Sequence, residues 1–403
     1  MAQNRENAAA WCALLRAPGL GPARIRALLD ACGNARTAAA ATPSQLRACG
    51  VPEAAMAWLA KPDAARIEAD LEWLAAPMHH LIGIDDPDYP VMLRRSPHPP
   101  AALFVDGDPN WLWFAQVAVV GSRNPTEGGR ANARDFSREM ACAGFIVTSG
   151  LAEGIDAAAH RAALDAGRPT IAVVATGPDR VYPAKHRELA DAIAACGAIV
   201  TEFPPGTDAR REHFPARNRI IAGLSLGTLV VEAALRSGAL ITARQAAEAS
   251  REVFALPGSI HNPMARGPHK LIRDGAQLVE AAQEVIDALA PAAALLADAL
   301  RGRLMPESGK PSSPVATRTE EPDSGELDSG DADYRKLLAA LGHDPVPIDV
   351  LAQRTGLTVP SLSSMLLLME LDGRVVAENG RYSRLQPENV PQRASGNAQA
   401  EDG

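Results

Sequence analysis

The sequence is poor in cysteine and has none of the cysteine patterns that mark secreted or zinc-binding proteins. Its cysteines number five, which is odd, and no two of them form a C-x-x-C pair. This pattern argues against a disulfide framework and against a zinc site. We interpret the cysteines as small core residues; they are Cys12, Cys32, Cys49, Cys142 and Cys196.

A long apolar run and a secretory signal are also missing. Glu232 and Arg236 interrupt the best candidate for a membrane span, and the start "MAQNRENAAAW" lacks the basic-then-apolar layout of a signal peptide. The sequence therefore predicts a soluble, cytoplasmic protein without a membrane anchor. The net charge of −8 speaks weakly against nucleic-acid binding, but a sum over the chain hides local basic patches.

Motifs of catalysis are absent as well. We find no Ser-His-Asp layout at a nucleophile elbow, no H-E-x-x-H, and no pair of carboxylates placed to act as acid and base. The glycine loop "GSRNPTEGG" is neither a dinucleotide-binding turn nor a P-loop. We therefore predict a protein that is not an enzyme, with no catalytic residue, no metal and no other cofactor.

With 403 residues and 47 % hydrophobic content, the chain is long enough for two or three domains. Residues 1–75 are alanine-rich with helical spacing, and the turn "APGLGPARIRALL" favours a small helical domain of the SAM or helix-hairpin-helix type. The alternative is a plain helical bundle whose turn is punctuated by Gly19 and Gly21.

The rest of the chain divides by composition. Residues 80–290 form the largest predicted domain, and residues 292–332 are predicted to be a disordered linker because they are rich in Pro, Ser, Gly and acid. Residues 333–386 show the order of helices and hairpin of a winged helix. Residues 387–403 are predicted to be a tail.

Within the largest domain, short apolar runs alternate with helical stretches. This alternation predicts a Rossmann-like, doubly wound parallel sheet of the α/β class, flanked by the helical domain and the winged helix. Ligands of such sheets bind where the strands end. The predicted strands are "VAVVG", "FIVTSG", "TIAVVA", "AIVTEF", "TLVVEA" and "EVFALPG".

Two glycine-bearing loops follow these strands and predict an anion site. The first loop offers Gly121, Ser122 and Arg123, and its backbone amides are free to approach a phosphate. In the second loop, the predicted site residues either end a strand or begin the next helix. They are Ser149, Gly150, Gly154 and Asp156. Asp156 has two interpretations, a helix cap, which we prefer, or a ligand contact.

Basic and amide side chains are expected on the same rim. They are Lys185, Arg217, Asn218, Arg219, Arg266 and Lys270. Several separated cations suit a phosphodiester backbone better than a single nucleotide, because each can meet its own phosphate. Phe214 and Tyr182 are candidate platforms for base stacking, and packing in the core is the equal alternative.

Seven ordered motifs carry a resemblance to the DNA-processing protein A (DprA/Smf) family. They are "VAVVGSRNPT", "SGLAEGIDAAAH", "GPDRVYPAKHREL", "FPPGT", "HFPARNRIIAGLS", "VVEAALRSGALITARQA" and "VFALPGSIHNPMARGPHKLIRDGA". The resemblance implies that residues 80–290 are an extended Rossmann-like DNA-binding domain. It implies a protein that binds single-stranded DNA in natural transformation, protects incoming DNA and loads the RecA recombinase. It also implies a homodimer formed through this domain and contact with single-strand-binding protein.

The rival hypothesis is an enzyme resembling the nucleotide phosphoribohydrolases, which combine a glycine-rich loop, an arginine and a strand-end glutamate. Arg123 and Glu232 would play those parts, although the P-G-G-x-G-T turn of those enzymes is "GLSLGT" here. Two departures from the DNA-processing family also stand out. Glu153 lies in the anion loop and is expected to face away, and the predicted recognition helix "VPSLSSMLLLMEL" has no Lys or Arg. The winged helix is therefore predicted to contact protein rather than read DNA.

Overall fold

The computed structural model describes residues 2–304, 336–337, 340–341, 346–371, 375–378 and 381–384. The chain divides into two compact units, Met1–Gly309 and Lys310–Gly403. Each is described by itself below. In the described residues, no helix combines the length and apolar character needed to cross a membrane.

The first unit begins with six helices. They are α1 (Ala2–Arg16), α2 (Pro22–Cys32), α3 (Ala35–Ala39), α4 (Pro43–Ala48), α5 (Glu53–Ala60) and α6 (Ala64–Leu74). The predicted turn leads into α2 with Pro22 as its first residue, where the missing N–H costs nothing. Thr42 and Gln45 form a reciprocal capping box at α4. These helices enclose a core that includes Trp11, Leu14 and Leu28.

A nine-stranded sheet forms the centre of the first unit. Its strands are β1 (His79–Gly83), β2 (Ala102–Gly107), β3 (Gln116–Val120), β4 (Ile146–Ser149), β5 (Thr170–Val173), β6 (Ala198–Thr201), β7 (Gly227–Val230), β8 (Glu252–Ala255) and β9 (Gln277–Leu278). Their spatial order is β1-β2-β6-β5-β4-β3-β7-β8-β9. In this spatial order, the seven consecutive strands that begin with β6 and end with β9 are mutually parallel. At one edge, β1 and β2 add an antiparallel pair.

Helices cover both faces of this sheet. They are α7 (Val91–Arg94), α8 (Glu127–Cys142), α9 (Ile155–Asp165), α10 (Arg187–Cys196), α11 (His213–Leu224), α12 (Gly238–Glu248), α13 (Arg266–Arg273) and α14 (Ala282–Leu304). Short 3₁₀ helices span Pro109–Trp113, Ala184–His186 and Pro263–Ala265. Two separate apolar clusters, around Val119 and around Val120, lie on opposite faces of β3. Adjacent residues of a strand point to opposite faces, so β3 contributes to both cores.

The Rossmann-like fold class is confirmed, and each of the six predicted strands is present. The sequence analysis missed β1, β2 and β9, since β1 and β2 form an antiparallel pair outside the strand-helix alternation and β9 has two residues. The predicted start of the linker also differs from the structure. Helix α14 continues through residue 292 to Leu304, because "AAALLADALRGRL" is composed almost entirely of strong helix formers. The remainder of the linker and the tail lie outside the described residues.

The second unit contains the predicted winged helix. Its described elements are β10 (Val346–Pro347), α15 (Ile348–Thr355), α16 (Val359–Leu371), β11 (Val375–Glu378) and β12 (Arg381–Arg384), with the sheet order β10-β12-β11. Gly356 ends α15 in the left-handed conformation that favours glycine. Leu351, Leu362 and Leu366 are buried in a small core. On α16, Leu367 and Leu368 are about half exposed.

Candidate nucleic-acid interface

The first unit opens a crevice where its parallel strands end. Chain connections after β3 proceed to β4, β5 and β6 on one side, while β7, β8 and β9 lie on the other side of β3. Such a reversal leaves room for a ligand between the loops. A cavity of about 280 Å³, here called the strand-end cavity, lies at this point. Its lining consists of Val120, Gly121, Arg123, Ala152, Asp156, Phe214, Arg217, Asn218, Ile221, Ser237, Gly238, Ala239 and Thr242.

The loop after β3 places Arg123 at the mouth of this cavity. The Arg123 side chain is exposed, and its guanidinium carbon lies 5.3 Å from the centre of the Phe214 ring. Ser122 is nearly buried, and its Oγ accepts the Asn124 N–H at 3.1 Å. Gly121 is required for packing, since a Cβ there would lie 2.6 Å from Ile155 Cγ1. Packing against Ile155 therefore explains why this position lacks a side chain, and contact of Gly121 with a ligand stays a prediction.

Two aromatic rings stand beside Arg123. The Phe214 and Tyr182 rings meet edge to face with centroids 5.8 Å apart, and Tyr182 is 50 % exposed. Together with Gly150, Ala152, Glu153 and Pro183, these three side chains line a small cavity of about 60 Å³. We call Arg123, Tyr182 and Phe214 the aromatic cluster. Its exposure favours stacking over the core alternative, because a core ring would be covered.

The loop after β4 is closed by its own side chains. Asp156 Oδ2 accepts the N–H groups of Gly150 at 3.2 Å and Ala152 at 3.3 Å, so this side chain closes the loop after β4 and does not cap the free N–H groups of α9, whose N-cap is Gly154. Ser149 is buried, and its Oγ donates to the Val119 carbonyl. Gly154 has φ of +80°, and a Cβ there would strike the Ser122 carbonyl. Most of the polar groups predicted to meet a phosphate in this loop already have partners.

Arg217 lies behind the cavity rather than at its surface. It is 5 % exposed, and its Nη1 donates to the carbonyls of Gly150, at 2.5 Å, and Val173. Burial lowers the pKa of the guanidinium to about 10, while the nearby Asp156 carboxylate opposes that shift. Asn218 is also buried and donates to the Gly238 carbonyl at 3.3 Å. Both residues line the cavity from the α11 side. The hydrogen bonds of Arg217 hold the loop after β4 to the end of β5.

Buried titratable groups continue behind Arg217. Burial raises the pKa of the Asp156 carboxyl, and the Arg217 charge opposes this shift. His160 is fully buried, and burial lowers its pKa to about 3. The Thr170 hydroxyl donates to the Val147 carbonyl, so His160 Nδ1 donates to Thr170 Oγ1 at 2.8 Å. His160 Nε2 has no partner in the described structure.

The other predicted basic residues separate into two groups. Lys185 does not line the strand-end cavity but shares a neighbouring cavity with Arg123, and its Nζ lies 2.9 Å from Glu153 Oε1. Glu153 was expected to face away from the anion site. In the structure it pairs with one of the basic residues instead. Arg219 faces elsewhere and binds Glu202 at 2.5 Å and the His98 carbonyl at 2.6 Å.

Two residues of α13 fall outside the site. Lys270 pairs with Asp274, the residue that follows the end of the helix, and Arg266 begins that helix. In the described chain, neither residue lines the cavities at the strand ends.

Glu232, which the enzyme hypothesis requires, is occupied by the opening loop. It is 7 % exposed and accepts the Thr126 N–H at 2.8 Å, the Thr126 hydroxyl at 2.7 Å and the Asn262 amide at 3.0 Å. It does not line the strand-end cavity. A larger cavity, about 920 Å³, lies away from the strand ends against β1 and α6. Among the described residues, no group of three or more His, Cys, Asp or Glu side chains could hold a metal ion.

The sequence analysis missed three arginines that the fold brings next to Arg123. They are Arg130, Arg134 and Arg161, on the helices that follow the two loops. Their spacing contained a usable signal, because residues four apart on a helix share a face. Arg130 and Arg134 show this spacing on α8.

Comparisons with known proteins agree over all three regions. The chain matches the model of the family "DNA recombination-mediator protein A" over residues 80–290. It also matches the DprA-like N-terminal HHH domain over residues 5–70 and the DprA winged helix domain over residues 317–381.

Individual relatives are similar over much of their length. Protein Smf of Escherichia coli (strain K12) is 43 % identical over 79 % of this chain and 81 % of its own. The DNA processing protein DprA of Bacillus subtilis (strain 168) is 43 % identical over 52 % of this chain and 70 % of its own. The X-ray structure of DNA processing protein A from Streptococcus pneumoniae is 36 % identical, with a TM-score of 0.62, and covers 68 % of this chain and 95 % of that one.

Proposed function

The chain belongs to the DNA recombination-mediator protein A family, and from this premise we propose that it binds single-stranded DNA across the aromatic cluster. Membership confirms the resemblance found in the seven motifs and gives the protein a role in DNA processing and recombination. The observation that carries the proposal is the position of Arg123. It is exposed, lies over Phe214 and stands beside the half-exposed Tyr182 at the ends of the strands.

The aromatic cluster suits single strands for a physical reason. In a duplex the base faces are already stacked on each other, whereas a single strand can place a base on an aromatic ring. An exposed guanidinium beside that ring can meet the neighbouring phosphate. Contacts of this kind do not distinguish one base from another, so we propose binding with little sequence preference.

We extend the proposal to the steps that the family resemblance implies. The protein would protect incoming DNA in natural transformation and load RecA recombinase on strands carrying single-strand-binding protein. It would act in the cytoplasm as a homodimer formed through the Rossmann-like domain. A strand-exchange assay with RecA and single-strand-binding protein tests the loading step, because a mediator shortens the lag before RecA filaments form. The homodimer is tested by sedimentation of the full chain.

Fluorescence titration of a labelled oligothymidine tests the binding step. We expect the single strand to bind more tightly than a duplex of equal length or thymidine monophosphate. We also expect binding to weaken with salt, by a log-log slope of about 0.7 for each phosphate neutralised. Arg123→Ala should lower the affinity about tenfold, which corresponds to about 1.4 kcal/mol. Tyr182→Ala should lower it by about fivefold or more, since stacking contributes roughly 1–3 kcal/mol per base.

Arg138→Ala is the matched control. This arginine is exposed on α8, pairs with Asp135 and does not line the described strand-end cavities. It should bind like the wild type. Equal affinity for single strand and duplex, or wild-type binding by both Arg123→Ala and Tyr182→Ala, would contradict the proposal.

A further inference from the structure

Arg123 also lines a further cavity, distinct from the strand-end cavity. Its volume is about 310 Å³, and it lies between α8, α9 and the loop that carries Lys185. We call it the arginine cavity. Five basic side chains line it, namely Arg123, Arg130, Arg134, Arg161 and Lys185. A single carboxylate, that of Glu153, lies among its lining residues.

Besides Arg123, two of the arginines that line this cavity have no carboxylate partner in the described part of the chain. Arg134 and Arg161 are exposed, and no carboxylate of the described chain lies within 4.0 Å of either. Arg130 lies four residues before Arg134, so the two like charges share one face of α8 and repel each other. Arg130 is about one third exposed, with its Nε 3.3 Å from the freely exposed Glu127. An anion in the cavity would relieve the repulsion between these arginines.

Lys185 is the basic residue whose charge is already compensated. Its Nζ lies 2.9 Å from Glu153 Oε1, and the hydrogen bond from Lys185 lowers the pKa of Glu153. Both side chains remain well exposed to solvent. This carboxylate therefore occupies the position on Lys185 that an incoming phosphate would take.

The chemistry of the cavity selects a backbone rather than a base. None of its lining residues has an aromatic ring other than the imidazole of His186, and that ring is buried against the Leu151 carbonyl. Arg123 lines both this cavity and the strand-end cavity. A chain of phosphates that passes Arg123 would thus move from a stacking surface to a purely cationic one.

We propose that the arginine cavity binds a phosphate of the DNA backbone adjacent to the nucleotide on the aromatic cluster, and that Glu153 competes with this phosphate for Lys185. The inference rests on the proposed function, because it assumes that the strand crosses Arg123. It adds a set of DNA contacts on α8 and α9. It also predicts that two kinds of substitution change the affinity for DNA in opposite directions. Loss of the unpaired arginines weakens binding, whereas loss of the competing carboxylate strengthens it.

The experiment titrates a labelled twenty-residue oligothymidine against the full-length chain and its variants. For Arg134→Gln with Arg161→Gln we expect affinity to fall about tenfold and the log-log salt slope to shrink by about 0.7, because the contact with one phosphate is lost. For Glu153→Gln we expect affinity to rise about twofold, since the ion pair that it removes is exposed to solvent and therefore weak. Thermal melting of each variant checks that the fold is intact.

Arg138→Gln with Arg168→Gln is the matched control, because it removes the same charge from two exposed arginines outside the cavity. It should retain wild-type affinity. If it loses as much affinity as the cavity variant, general electrostatics explains the effect and the inference is wrong. If the cavity variant binds like the wild type while Arg123→Ala is impaired, the inference fails and the proposed function stands. If Arg123→Ala and Tyr182→Ala are also unimpaired, both fail.

Discussion

Replacement of Arg217 by Met separates a structural arginine from a DNA-contacting one. The wild-type guanidinium is 5 % exposed, donates to the Gly150 and Val173 carbonyls and lies near Asp156. Methionine fills similar space but leaves two buried carbonyls without a donor and a buried carboxyl without its counter-charge. A buried acceptor that loses its donor typically costs about 1–3 kcal/mol, so the two carbonyls together cost roughly 2–6 kcal/mol. We therefore expect Arg217→Met to melt roughly 10 °C below the wild type, given 2–4 °C per kcal/mol for domains of this size.

Differential scanning calorimetry and urea denaturation measure this loss, and Arg123→Met is the matched control. That variant makes the same chemical change at an exposed position and should melt within about 2 °C of the wild type, because exposed substitutions seldom change stability by more than about 0.5 kcal/mol. The expected pattern is therefore a stability defect at Arg217 and a binding defect at Arg123. An Arg217→Met protein that melts like the wild type but no longer binds oligothymidine would refute the structural role.

Three further predictions concern the surroundings of the site. His160 must stay neutral in the fold but binds a proton in the unfolded chain below pH 6.5, so acidification from pH 6.5 to 5 should cost roughly 2 kcal/mol; urea titrations across this range should show a smaller loss for His160→Asn, and an identical loss would contradict the pKa. Gly154→Ala should destabilise the protein by more than 1 kcal/mol in urea, and by more than Gly167→Ala, which has a similar positive φ but open space around it. Glu232→Gln should lower the melting temperature, because an amide cannot accept from all three donors. Incubation of the wild type with AMP should release no adenine. Steady release of adenine that Glu232→Gln abolishes would instead favour the enzyme hypothesis.

The sheet could be predicted from the sequence because its central strands have an unambiguous pattern. Each is a short apolar run bounded by helical stretches, which is typical of a parallel sheet buried on both faces. The edge strands β1 and β2 were missed because their antiparallel pairing follows from no such alternation. The extension of α14 beyond Pro291 was missed because the proline-rich composition of the following segment was applied to residues that favour a helix.

The site was predictable only where a side chain's direction followed from the strand that precedes it. Arg123 is placed at the cavity mouth by the end of β3, as expected. Arg217 and Arg219 were both expected at the site. Residues two positions apart in a helix differ in direction by about 200°, so these two side chains face opposite sides of α11. Phe214, Arg217, Asn218 and Ile221 follow the helical spacing and do share the cavity.

Partners of buried groups could not be predicted at all. The donation of Arg217 to the Gly150 and Val173 carbonyls joins residues 67 and 44 positions apart in the chain. Such contacts depend on how α11 packs over the strand ends, which no local pattern specifies.

Photocrosslinking tests the central claim most directly, because it locates the DNA without a substitution. An oligonucleotide carrying 5-iododeoxyuridine is bound to the wild-type chain and irradiated, and the crosslinked peptides are identified by mass spectrometry. Halogenated bases crosslink preferentially to aromatic rings that they stack on, so we predict adducts on Tyr182 or Phe214 and their loss when unlabelled oligothymidine competes. Adducts confined to residues 346–384 of the winged helix, with none on these two rings, would contradict the account.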